Sequence, residues 1–203
     1  MRKQLFALAA VAALAAPQFA AAQDSGSWLV RARALYLQSE NHDTTGLDLS
    51  VNDKAFPEFD VSYFFTPNIA AELILTYPQY HKIEAGGTKI GGLRHLPPTL
   101  TAQYHFTNFQ GFRPYLGAGV NYTNVTSVSW EPAVEAALHP SITRNSFGWA
   151  VQAGVDIPVG NNWLVNVDVK KVKIGVDVKS SGTKVGEFDI DPLLFSVGVG
   201  YRF

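Results

Sequence analysis

Eight stretches of this 203-residue chain alternate apolar and polar side chains with a period of two. That period belongs to a β-strand with two chemically different faces. The stretches are "WLVRARALYL" (28–37), "PEFDVSYFF" (57–65), "IAAELILTY" (69–77), "LPPTLTAQYHF" (96–106), "RPYLGAGVNY" (113–122), "FGWAVQAGVDI" (147–157), "WLVNVDVK" (163–170) and "LLFSVGVGYRF" (193–203). The connections between them alternate in length. Those at 66–68, 107–112 and 158–162 are tight, and those at about 39–56, 80–94, 123–146 and 172–191 are long. An even number of strands, with short turns on one side and long loops on the other, is the pattern of an outer-membrane barrel. The third long loop holds "EPAVEAALH" (131–139), which predicts a short helix with Pro132 in its first turn.

The alternation leaves open which face looks inward. A soluble lipocalin-like barrel puts the apolar face inside. Three features favour the inverse. The polar faces mix glycines with charges of both signs: Arg31, Arg33, Glu58, Asp60, Glu72, Asp156, Asp168 and Lys170. Aromatics stand near the ends of the apolar faces, at Tyr36, Tyr63, Tyr77, Tyr122, Trp163, Tyr201 and Phe203, as in interfacial girdles. The chain also ends on an alternating strand whose last residue is Phe203. The expected fold is therefore all-β: an eight-stranded antiparallel transmembrane β-barrel with short periplasmic turns and long extracellular loops. Tyr201 and Phe203 are the expected signal for the outer-membrane assembly machinery.

Residues 1–22 read as a signal peptide: basic Arg2 and Lys3, the apolar run 5–16, and "AAA" at 20–22 before a cleavage point. The barrel domain is then 23–203. Beyond the leader no run of 18 apolar residues exists, so a membrane-crossing form of the chain has to be a closed barrel. A net charge of −1 gives no surface for nucleic acid. The chain has no cysteine, and its five histidines, His42, His81, His95, His105 and His139, show no metal-ligand spacing. No catalytic set is visible, so neither an enzyme nor a bound cofactor or metal is expected.

Several long blocks, "NIAAELILTYPQYHKI" (68–83), "RHLPPTLTAQYHF" (94–106), "FRPYLGAGVNYT" (112–123), "WLVNVDV" (163–169) and "DPLLFSVGVGYRF" (191–203), resemble the OmpW family of bacterial outer-membrane proteins. The resemblance implies a narrow internal channel for passive uptake of small hydrophobic molecules, with sideways release into outer-membrane lipid. The alternative is a structural or receptor-like surface barrel with a closed lumen.

The channel-lining candidates are Ile74, Glu72, Thr76, Gln103 and Lys170. Lys170 stands where the family can carry an aromatic, and it points to an amphipathic or anionic solute or to snorkelling toward the loops. Arg31, Arg33, Glu58, Asp60, Glu72, Gln103, Arg113 and Arg202 are expected to form an inner charge network near the periplasmic half. Pro97 and Pro98 raise a separate question. Proline lacks the N–H a sheet ladder needs, and a closed barrel has no edge to hide it. Either they mark a lateral opening beside the neighbouring strand, or they only begin their own strand.

Overall fold

The computed structural model describes residues 27–203; the expected signal peptide lies outside the described residues. In chain order the strands are β1 (Trp28–Gln38), β2 (His42–Asp43), β3 (Leu49–Val51), β4 (Lys54–Phe64), β5 (Ile69–Leu75), β6 (Gln79–Ala85), β7 (Thr88–Leu96), β8 (Thr99–His105) and β9 (Arg113–Trp130). A short helix, α1 (Pro132–Leu138), then precedes β10 (Pro140–Ile142), β11 (Asn145–Gly160), β12 (Trp163–Val172), β13 (Gly175–Ser180), β14 (Thr183–Asp189) and β15 (Leu193–Arg202). Eight of these close a ring: β1 pairs with β4, β4 with β5, β5 with β8, β8 with β9, β9 with β11, β11 with β12, β12 with β15, and β15 with β1. All of these pairings are antiparallel, so the wall is a closed eight-stranded barrel.

The barrel is inverted relative to a soluble one. Along β1 the odd positions Arg31 and Arg33 are buried, while Val30, Ala32, Ala34 and Tyr36 face outward. Phe59, Leu73, Leu100, Leu116, Val120, Trp149, Val167 and Val197 continue the same outer belt around the other strands. A surface of this composition suits hydrocarbon. At the tight-turn end Trp28, Tyr63 and Phe65 pack with tilted or edge-to-face rings, and Trp163, Tyr201 and Phe203 pack edge to face.

The connections read as long loops are largely strand. β9 runs for 18 residues and β11 for 16. At about 3.3 Å per residue β9 measures roughly 60 Å, far more than an apolar band of about 25 Å requires even with tilt. Its upper half pairs with β7, which pairs with β6, which pairs with β3. A second sheet, in the order β10-β13-β14-β2, stands opposite. Between them lies an apolar core that includes Leu49, Val51, Ile83, Leu93, Val125, Val176, Val178 and Phe188. Period-two signals fade in these segments because charged tips and turn glycines interrupt them, so the sequence reads as loop. The helix expected at 131–139 forms as α1, with Pro132 opening it.

Candidate functional site: a chamber over a charged floor beside an interrupted wall

The inward polar side chains form one network across the lower barrel. Arg31 is fully buried and grips Asp156 with two donors, Nε to Oδ1 at 3.2 Å and Nη2 to Oδ2 at 2.7 Å. Its Nη1 reaches Asp60 at 2.9 Å and Ser62 at 3.0 Å. Arg33 pairs with Glu58 at 2.9 Å, Asp60 at 2.7 Å and Glu72 at 3.2 Å. Glu72 also accepts from Gln103 at 2.8 Å and Gln152 at 2.7 Å. Asp168 accepts from Tyr115 at 2.9 Å. Small residues make room for these long side chains. A Cβ at Gly117 would stand 2.7 Å from the Gln152 Cγ, and one at Gly154 would collide with the Tyr115 ring.

Of the network candidates, Arg31, Arg33, Glu58, Asp60, Glu72 and Gln103 come together here. Arg113 and Arg202 stand at its lower rim: they border a recess at the tight-turn end with Phe109 and Pro158, Arg113 is the register partner of Asp156, and Arg202 lies over the Phe64 ring at 3.9 Å. Parity could not separate them, because it fixes the face but not the height. The same limit hid Tyr115, Asn166 and Gln152 as network members. Lys170 neither snorkels nor waits for an anion. Its Nζ is held by Glu58 at 2.9 Å and Asp168 at 2.7 Å. Its two carboxylate partners are themselves buried, and that fixes the amine in the floor.

Above the Glu58–Lys170 pair is a chamber of about 30 Å³. Its wall is mostly apolar: Leu35, Leu37, Phe56, Ile74, Val172, Ile174 and Leu194, with Thr76, His95, Pro97, Thr99 and Asn121 on one side. Val172 and Ile174 also belong to the apolar core of the extension, so an apolar column runs from the long-loop end down to the charged floor. Ile74, Thr76 and Lys170 thus border the chamber, while Glu72 and Gln103 lie in the network beneath it.

The wall is interrupted beside this chamber. Pairing between β5 and β8 ends at Ile74↔Thr99, and pairing between β6 and β7 resumes at Gln79↔His95. Leu75, Thr76, Tyr77 and Pro78 intervene on one arm, against Leu96, Pro97 and Pro98 on the other, so the register slips by one. The second gap is longer. β4 meets β5 last at Phe59↔Leu75, and β3 meets β6 again only at Val51↔Ile83. Residues 52–58 therefore face 76–82 without a ladder, and Pro57 and Pro78 stand at this seam, where neither supplies an N–H.

Side chains take over some of the freed backbone groups. Gln79 donates to the Tyr77 carbonyl at 3.0 Å, and Asn121 donates to the carbonyls of Pro97 and Pro98 at 3.3 Å each. On their other side the prolines leave the wall intact, since the Tyr122 N–H donates to the Pro98 carbonyl at 3.0 Å. Pro97 and Pro98 border a break in the ladder, and its longer side lies toward β4. Pro57 and Pro78 were the missed signal.

Tyr201 and Phe203 stack on each other at the outer surface, and the Phe203 N–H donates to the Trp28 carbonyl at 2.8 Å. No helix among the described residues is long and apolar enough to cross a membrane, and no group of three or more potential metal ligands occurs among them.

Known proteins place this architecture. An uncharacterized outer-membrane protein of Sinorhizobium fredii is 42% identical over 96% of this chain and 90% of its own length. Outer membrane protein W of Vibrio cholerae is 33% identical over the whole of both chains. A more distant relative, at 26% identity over 83% of this chain and 80% of its own, is a dibenzothiophene metabolism operon protein of Pseudomonas aeruginosa. The crystal structure of OprG from the same organism superposes with a TM-score of 0.78 at 23% identity, covering 88% of this chain and 96% of that one, and it supports the fold. The OmpW family profile matches residues 24–203, and with it the inverted eight-stranded wall is accounted for: the chain belongs to the OmpW family of outer-membrane β-barrel proteins.

Proposed function

We propose that this barrel is a passive, non-catalytic route for small hydrophobic molecules, which enter along the apolar column and leave sideways into the membrane. The observation that carries this reading is the position of the wall interruption. Phe56, Thr76 and Pro97 line the chamber and also flank the two gaps in the ladder. Directly beneath, a floor of paired charges offers no favourable path to an apolar solute, because passage would break ion pairs that have no water to replace them. Sideways exit breaks no backbone pairing, since the pairing is already absent. The relative whose name ties it to dibenzothiophene metabolism supports the reading, since that compound is apolar.

The seam can be stapled. The register that holds at Phe59↔Leu75 would set Pro57 opposite Tyr77, and both side chains face outward. The chain has no native cysteine, so Pro57→Cys with Tyr77→Cys can be bridged by a short thiol-reactive cross-linker. Cells with an intact lipopolysaccharide layer, supplied with a labelled alkane, should show faster uptake with the barrel than without it. Cross-linking should return uptake to the barrel-free rate. Unchanged uptake after full cross-linking, in a barrel that still shifts on heated gels, would reject lateral release. A parent barrel with no effect on uptake would favour the closed surface barrel.

A further inference from the structure

Beside the chamber, four neighbouring side chains carry buried polar atoms without a hydrogen-bond partner among the described residues. They are Oγ1 of Thr76, Oε1 of Gln79, Nε2 of His81, and both ring nitrogens of His95. Gln79, His81 and His95 are almost completely buried, at 0, 1 and 2% exposure. The cluster is compact. Gln79 and His95 are register partners, the His81 and His95 rings stack at 4.9 Å and 16°, and Thr76 and His95 both line the chamber. A buried polar atom left unpaired costs roughly 1–3 kcal/mol. Five in one place, where the ladder of the wall is interrupted, call for a ligand.

The chemistry of the cluster narrows the ligand. The Nδ1 of His81 lies 3.0 Å from the Asn52 carbonyl, which can only accept, so Nδ1 carries the proton and Nε2 presents a lone pair. The amide nitrogen of Gln79 is spent on the Tyr77 carbonyl, so its Oε1 also presents lone pairs. Thr76 and His95 can each donate and accept. A partner must therefore bring a donor, and a carboxylate would meet lone pairs. A cation is disfavoured by the Lys54 ammonium, whose charge acts on both rings and whose Nζ reaches the Tyr80 carbonyl at 3.1 Å. A neutral hydroxyl meets every condition. The adjoining space of about 30 Å³ suits one hydroxyl-sized group. Leu35, Phe56, Ile74 and Leu194 stand ready for an attached hydrocarbon chain.

We propose that Thr76, Gln79, His81 and His95 form a binding subsite for the hydroxyl of a long-chain alcohol or similar neutral amphiphile, at the inner edge of the wall gap. The subsite gives the route a preference for hydroxylated over bare hydrocarbon chains. Its transport consequence rests on the uptake reading above; binding does not.

Two measurements separate these. In the first, the mature barrel with isotope-labelled histidines is placed in lipid nanodiscs and titrated with dodecanol or with dodecane. The imidazole nitrogen signals of His81 and His95, assigned by His81→Phe and His95→Phe, should shift with dodecanol and stay fixed with dodecane. In the second, uptake of the two solutes is compared in cells. Gln79→Leu with His95→Leu should lower the dodecanol-to-dodecane uptake ratio by about five-fold, the scale of one or two hydrogen bonds, while dodecane uptake persists. His95→Gln, which keeps a donor and an acceptor, should retain most of the ratio and guards against a folding artefact. Ring signals indifferent to dodecanol would overturn the subsite, as would an unchanged uptake ratio in a folded double variant that still takes up dodecane. Ring shifts in a barrel that takes up neither solute would uphold the subsite and reject the transport reading.

Discussion

Removing the Arg31 guanidinium tests whether the inner network holds the barrel together. Arg31→Met keeps the apolar stem and deletes every charged contact. The network sets three cations, Arg31, Arg33 and Lys170, against five carboxylates, Glu58, Asp60, Glu72, Asp156 and Asp168. The substitution leaves Arg33 and Lys170 to hold the five acids, and Asp156 loses both of its bonds from Arg31. Breaking a buried pair from one side costs about 3–5 kcal/mol, and the fully buried arginine places this case at that scale. Adding Asp156→Asn removes the stranded charge and should recover roughly 0.5–3 kcal/mol of the loss, as contacting residues do. Urea unfolding from lipid vesicles reads the difference, with Trp28, Trp149 and Trp163 as lipid-facing fluorophores. A single-variant loss below about 1 kcal/mol, or a double variant that is simply additive, would refute the claim that these charges are coupled.

Other expectations follow from the same geometry. A cysteine at Thr88, in the β6–β7 tip, should react with an impermeant thiol reagent on intact cells, whereas one at Asn161, in a tight turn, should not; the reverse pattern would invert the orientation. Deleting Phe203 should lower the amount of heat-modifiable barrel in the outer membrane, by removing the terminal aromatic we propose the assembly machinery reads; normal accumulation would dismiss that role. In the loops, burial works to raise the pKa of the Asp43 carboxyl, but hydrogen bonds from Thr45, Leu49 and Leu47 outweigh it and hold the group below its usual range. A depressed carboxylate stabilises the turn above its unfolded value of about 3.9 and loses that contribution as pH falls through the lower, folded value. The amide signals of Thr45, Leu47 and Leu49 should therefore move together in an acid titration and stand still in Asp43→Asn.

Face and order were legible in the sequence. Arg31 opposite Val30, or Glu72 opposite Leu73, sorts the side chains onto two faces by parity, the mixed charges and the aromatic girdles tell which face is the inner one, and alternating connection lengths give the sense of the barrel. Height was not legible, because period two repeats identically along a strand. That is why Arg113 and Arg202 read as full network members until the register sets them at its lower rim, Arg113 opposite Asp156 on β11 and Arg202 opposite Leu29 on β1. Lys170 misled for another reason: its partners Glu58 and Asp168 lie 112 and 2 residues away, and only barrel closure brings the first of them across. The wall gap was half legible. Pro97 and Pro98 stand out as a pair, whereas Pro57 and Pro78 look like ordinary strand-end prolines until the register sets them at one seam.

The glycines that give way to long side chains have a bearing on how such barrels diverge. Gly117 has no room for a Cβ because the Gln152 side chain stands there, and Gly154 has none because Tyr115 fills the space. Each is half of a volume shared between neighbouring strands. A descendant that shortens Gln152 or Tyr115 frees its partner to accept a side chain, and a descendant that fills the glycine first must lose the long residue or the fold. Among related barrels, positions 117 and 152, and 115 and 154, should therefore change in concert, so that the bulk inside the ring stays constant while its location moves from strand to strand.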